Sequence, residues 1–164
     1  MQSYHSEEIQ KLGELIKDIN IAMLTTALPD GSLRSRPMAT QGGDFDGTLW
    51  FFTGIETGKV HEIQDDQHVN LAYSEPGAQK YVSVSGKARI VRDQSKIDEL
   101  WSTPLKAWFP GGKDDPNIAI LKIEVDSAEY WDMPSSKMVH LIGFVKATVT
   151  GQSYEPGENE KIEL

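Results

Sequence analysis

The chain has 164 residues, 38% of them apolar, and a formal net charge of −9. That length suits one domain, and that apolar share excludes a wholly disordered polymer. An acidic balance disfavours nucleic acid and anionic membranes as partners, while a local cluster of positive groups can still hold one small phosphate.

Residues Glu7 to Ile19 place Ile9, Leu12, Leu15, Ile16 and Ile19 at helical spacing, with Ser6 as the expected cap. Ile21 to Leu28 then reads as a buried strand. Pro29-Asp30-Gly31 is a turn signal, and Leu33 to Gln41 returns as the second arm of a hairpin. Gly42, Gly43, Asp44, Asp46 and Gly47 mark the next turn. Thr48 to Thr53 is a strongly apolar strand, Thr57 to Gln64 a helix capped by Thr57, and Val69 to Ser74 another strand.

Tyr81 to Arg92 alternates apolar and polar residues, and Gly86 in its middle predicts a bulge or bend. Ser95 to Trp101 reads as a short helix opened by Ser95 and Asp98 as a capping pair. A loop-rich crossing from Leu105 to Asn117 follows. Ile118 to Asp126 alternates again, Ala128 to Asp132 extends that sheet, and Phe144 to Thr150 reads as a last strand. Short strands in meander order with small helices between them predict a mainly antiparallel β-barrel with flanking helices. Residues 1–151 form that domain, and 152–164, rich in Glu, Pro and Gly, read as a flexible tail.

Three groups of residues could carry chemistry. Arg34 and Arg36 fall on one face of a strand, where either an anion or acidic neighbours must neutralise them. Pro37 beside them cannot donate to a sheet ladder and belongs at an edge or bulge. Next, the strand ending Phe51-Phe52-Thr53 turns into a helix whose start holds Thr57, Gly58 and Lys59. Free amides, a hydroxyl and a first-turn lysine suit an anion, and a plain capped helix is the alternative. Finally, Tyr130 and Trp131 end a strand, either as core packing or facing a flat ligand.

The histidines His5, His61, His68 and His140 show no metal-ligand spacing. The chain has no cysteine, which removes disulfides, thiolate metal sites and cysteine nucleophiles. With no run near the ~20 apolar residues of a membrane helix and no signal-peptide pattern at Met1–Glu8, a cytoplasmic location is the simplest expectation.

In order, Arg34-Ser35-Arg36-Pro37-Met38-Ala39, Trp50-Phe51-Phe52-Thr53 with Thr57 and Lys59, Tyr81-Val82-Ser83-Val84-Ser85-Gly86, Leu105-Lys106-Ala107-Trp108-Phe109-Pro110-Gly111 and Glu129-Tyr130-Trp131-Asp132 resemble the pyridoxamine 5′-phosphate oxidase-like split-barrel flavoproteins. The general stress protein branch is the nearest in pattern, and the resemblance runs from about Ile9 to Gly151. It implies FMN, with FAD as the alternative, held between two protomers of a homodimer. By position, Arg36 and Lys59 would hold the phosphate, assisted by Thr57 and Gly58. Pro37, Met38 and Ala39 would lie along the flavin ring, and Phe52 and Thr53 would meet its edge. Tyr81 and Trp131 would come from the partner.

The family's oxidases carry an arginine- and histidine-bearing segment after their tryptophan. Here that stretch reads Pro134-Ser135-Ser136-Lys137-Met138-Val139-His140, without arginine. The resemblance therefore implies a flavin-binding stress protein rather than an efficient vitamin B6 oxidase. A flavin-dependent oxidoreductase on another small substrate and a cofactor-free interaction domain are the competing expectations.

Overall fold

The computed structural model describes residues 2–40, 44–133, 145–151, 153 and 157–164. Helix α1 (Gln2–Ile16) opens the chain. It starts earlier than its apolar spacing predicts, so Ser6 lies inside it rather than at its cap. Its last turn tightens, with the Ile19 N–H bonded to the Ile16 carbonyl at 3.0 Å. That turn delivers Ile19 to the core beside Leu12, Leu15 and Ile16.

Strands β1 (Ile21–Ala27) and β2 (Leu33–Ala39) form the expected hairpin. Gly31 supplies the positive φ of 85°, and Asp30 accepts hydrogen bonds from the Ser32 amide and hydroxyl. After β3 (Thr48–Gly54) come helix α2 (Gly58–Asp65), β4 (His68–Glu75), β5 (Lys80–Val91) and helix α3 (Gln94–Leu100). Two short 3-10 turns carry the chain to β6 (Ile118–Asp132), and β7 (Glu158–Glu163) is the final strand. All pairings are antiparallel, in the order β2-β1-β4-β5-β6-β3, with β7 added to β6. The sheet curls as a split barrel whose path ends are β2 and β3. Among the described residues no helix is long and apolar enough to cross a membrane.

Gly86 is the expected bulge: the β5–β6 register shifts between Ser85 and Gly86. A Cβ placed there would lie 2.3 Å from the Glu124 carbonyl oxygen, a distance no relaxed contact permits. Gly86→Ala should therefore destabilise the fold by about 3 kcal/mol or more, at the upper end of single-residue effects. Urea unfolding checks this; a loss under about 1 kcal/mol would show that the bulge absorbs a side chain.

Three expectations need correction. Asp93, not Ser95, caps α3, accepting from the Ser95 and Lys96 amides. Residues 145–150, read as a strand, are helical. There the Val145-x-Ala147-x-Val149 alternation is not a buried face, because Val145 and Val149 are exposed. Last, the tail read as loose contains β7. One inward residue suffices to dock it: Ile162 is buried in the main core, and the Leu164 N–H bonds to the Asp126 carbonyl. Burying such a side chain contributes roughly 1.5–3 kcal/mol. The Gly42-Gly43 turn and the stretch Pro134 to His140 lie outside the described residues.

Two apolar clusters form among the described residues, on opposite faces of β3 and β6. The larger joins α1 to the inner sheet face, and the smaller packs Phe52, Ile97, Phe109, Ile118 and Ile120 beneath α3.

Candidate functional site

The hairpin register places Arg34 opposite Thr26 and Arg36 opposite Leu24. Both arginines thus extend from the inward face of β2, past the end of the core. Helix α2 brings Glu62 against them. The Glu62 carboxylate is buried and accepts from three donors: the Thr26 hydroxyl at 2.5 Å, Arg36 Nη2 at 2.7 Å and Arg34 Nη1 at 3.0 Å. Arg36 Nη1 also donates to Thr26 Oγ1 at 2.7 Å. Arg34 is more than half exposed, whereas Arg36 is largely enclosed.

Lys59, one turn before Glu62 on α2, points to the end of β3. Its Nζ donates to Thr53 Oγ1 at 3.1 Å and to Thr57 Oγ1 at 3.3 Å. Thr57 occupies the N-cap position, but its hydroxyl donates back to the Gly54 carbonyl at 3.0 Å rather than accepting from a helix amide. The first amides of α2 are therefore left uncapped by that side chain. Burial lowers the Lys59 pKa and the positive charge of Arg36 lowers it further, against the opposing pull of Glu62.

Three cations face one carboxylate, which leaves the cluster with two positive charges in excess. Such a site suits a phosphate monoester, which carries about −1.5 to −2 at neutral pH. The donor set fits as well: guanidinium, ammonium and hydroxyl groups converge at a helix N-terminus.

The Glu62 pKa is lowered, first by the Thr26 hydrogen bond and then by the arginines, against burial that would raise it. A carboxylate with a depressed folded-state pKa contributes stability above its unfolded value, and that stability is lost as pH falls through the folded value. The thermal midpoint should therefore drop as pH falls below the ordinary glutamate value of 4.5. Glu62→Gln should show a shallower acid limb in calorimetry; a limb of equal steepness would assign the acid sensitivity to other carboxylates.

The structure thus brings together Arg36, Thr53, Thr57, Gly58 and Lys59. Pro37 and Ala39 continue along β2 with exposed side chains. Met38 packs in the main core and Phe52 in the smaller cluster, the latter edge-on to Trp101. Only their backbones can meet a ligand without repacking. Tyr81 and Trp131 are cross-strand neighbours on β5 and β6. The registers put them on the opposite sheet face from Arg36, so one protomer does not unite them with the cluster.

The sequence reading missed Glu62 and Thr26. The available signal was the three-residue spacing from Lys59, which sets Glu62 on the same helix face, and the hairpin count that sets Thr26 opposite Arg34.

The sequence pattern of the family described as "Pyridoxamine 5'-phosphate oxidase like" matches residues 7–155. General stress protein 26 of Bacillus subtilis (strain 168) is 42% identical over 80 residues, spanning 47% of this chain and 56% of that protein. The solved general stress FMN/FAD binding protein of Xanthomonas citri superposes with a TM-score of 0.69 at 33% identity, covering 80% of this chain and 92% of the other. A general stress protein 26 structure from Jannaschia sp. CCS1 covers both chains fully, with a TM-score of 0.75 at 26% identity. With the antiparallel split barrel already described, these findings place the chain in the pyridoxamine 5′-phosphate oxidase like family.

Proposed function

We propose that this protein binds FMN at the cation cluster and serves as a flavin-carrying stress protein. The observation that carries the reading is the half-buried excess of positive charge where β2, β3 and α2 meet. Arg36 and Lys59 hold the phosphate, with Arg34, Thr57 and the Gly58 amide assisting. The ring lies along the backbone of Pro37, Met38 and Ala39, with Phe52 and Thr53 at its edge. When bound, the flavin supplies hydride or electron transfer; the chain's own residues bind and orient it.

FMN suits the cluster better than FAD, because a monoester phosphate concentrates its charge on one group. The solved Xanthomonas citri relative, an FMN/FAD binding protein, supports the ligand class.

The site is completed across a homodimer. Tyr81 lies on the outer sheet face with Ile21 and Met23, three large apolar side chains left exposed. A twofold partner docking on that face would cover them and carry its Tyr81 and Trp131 towards the ring.

Two measurements test this reading. The absorption spectrum of protein incubated with FMN and then desalted should keep the flavin bands, and light scattering should report a dimer at micromolar concentration. A colourless product would favour the cofactor-free interaction domain, and a monomer would remove the shared site.

A further inference from the structure

A carboxylate beside a phosphate site repels the ligand, yet Glu62 lies within the cation cluster and is only 8% exposed. It also stands close to the position assigned to the phosphate. A Cβ placed on Gly58, whose amide belongs to that position, would sit 4.0 Å from Glu62 Oε1 and 3.7 Å from Arg34 Nη1. The charge of Glu62 is therefore felt where the charge of the ligand would be.

Its bonds show what it supplies in return. Glu62 Oε2 accepts from Arg36 Nη2 and from the Thr26 hydroxyl, and that hydroxyl accepts from Arg36 Nη1. The three groups, from α2, β1 and β2, close a ring that grips both Nη atoms of the guanidinium. One N–H of each is used, so Nε–H and one N–H on each Nη stay without a partner among the described residues. An Nε–Nη pair is a fork that fits two oxygens of a phosphate. Because the guanidinium is held at two points before a ligand arrives, less side-chain freedom is lost on binding. Lys59 faces the same space, since the Arg36 charge helps to lower its pKa.

We propose that Glu62 is a positioning residue of this site: its reach presents the open fork of Arg36 to the phosphate, while its charge opposes the same ligand and tempers the affinity. The inference rests on the flavin reading of the cluster. Reach and charge act in opposite directions, and each can be removed alone.

The test is isothermal titration of wild type, Glu62→Gln and Glu62→Asp with FMN and with riboflavin, at neutral pH and low ionic strength. Glu62→Gln keeps the reach and removes the charge. It should bind FMN about fivefold to tenfold more tightly, as relief of one partly screened repulsion allows. Glu62→Asp keeps the charge but is a methylene too short to hold Thr26 and Arg36 together. It should bind FMN about threefold to tenfold more weakly, the size of one positioning hydrogen bond. Riboflavin, without the phosphate, should change by less than about threefold in both variants. A merely structural role would move FMN and riboflavin together, or move both variants in one direction, and either result would overturn the proposal. The wild-type protein gives a check that needs no substitution: side-chain NMR should show hindered rotation of the Arg36 guanidinium before FMN is added, and a shift of its Nε–H afterwards. A freely rotating guanidinium in the unliganded protein would also overturn it. Failure of the wild type to saturate with FMN would remove the flavin reading and this inference with it, whereas saturable wild-type binding with no gain in Glu62→Gln would overturn the role of Glu62 alone.

Discussion

Replacing Lys59 with methionine should lower FMN affinity by about 30-fold to 150-fold, the equivalent of about 2–3 kcal/mol for a hydrogen bond to a charged group. Riboflavin, which lacks the phosphate, should lose less than about threefold by the same reasoning. The unliganded fold should be as stable as wild type or more so. Lys59 is held by the Thr53 and Thr57 hydroxyls, and among the described residues no carboxylate reaches salt-bridge distance. Burial and the Arg36 charge both act against its ammonium form. Removing it therefore relieves an unfavourable charge in the free protein while deleting a partner for the ligand. Isothermal titration with both flavins, alongside urea unfolding, separates the two effects. Equal losses for FMN and riboflavin would mean that Lys59 shapes the ring site instead.

Arg36→Leu should behave oppositely in the free protein. It leaves Glu62 buried without its closest cation, and breaking an enclosed ion pair on one side costs about 3–5 kcal/mol. The double variant Arg36→Leu with Glu62→Gln should recover most of that loss, because no buried charge is then stranded. Arg34→Leu is the control. Its guanidinium is more than half exposed, so the loss should stay within about 0–1 kcal/mol. Should Arg36→Leu and Arg34→Leu unfold at the same urea concentration, the Glu62 pair would not be an element of the fold. Both single variants should still weaken FMN relative to riboflavin, which distinguishes the ligand role from the structural one.

Local chemistry made much of this architecture legible. Pro29-Asp30-Gly31 announced its hairpin through backbone preferences that act within four residues, and Gly86 announced its bulge because a strand interior gives glycine few other uses. The paired arginines were equally plain, since strand parity alone puts Arg34 and Arg36 on one face. Their neutralisation was not. Glu62 reaches them only because α2 folds back over the β1–β2 hairpin, a contact 26 residues distant for Arg36 that periodicity does not encode. The two readings set against each other for those arginines, acidic neighbours or an anion, are not exclusive. Glu62 neutralises one charge and leaves an excess for a ligand.

Short segments misled for a related reason. The 145–150 alternation satisfies the strand period but finds no buried face, whereas β7 is largely charged yet docks through Ile162. In both cases tertiary partners decided, and those are invisible to a window of six residues. Met38 and Phe52, expected along the flavin ring, bury their side chains in the two apolar clusters, so that expectation rests on their backbones. That distinction between side chain and backbone emerges only once the two clusters are assembled.

The central claim is that the junction of β2, β3 and α2 recognises a flavin through its phosphate. Parallel fluorescence titrations of the wild-type protein with FMN and riboflavin, at low ionic strength and neutral pH, test it most directly. Saturation at one FMN per chain, with riboflavin bound at least about 30-fold more weakly as loss of a charged hydrogen bond implies, is the predicted result. Indistinguishable affinities, or no saturation by FMN at all, would contradict it.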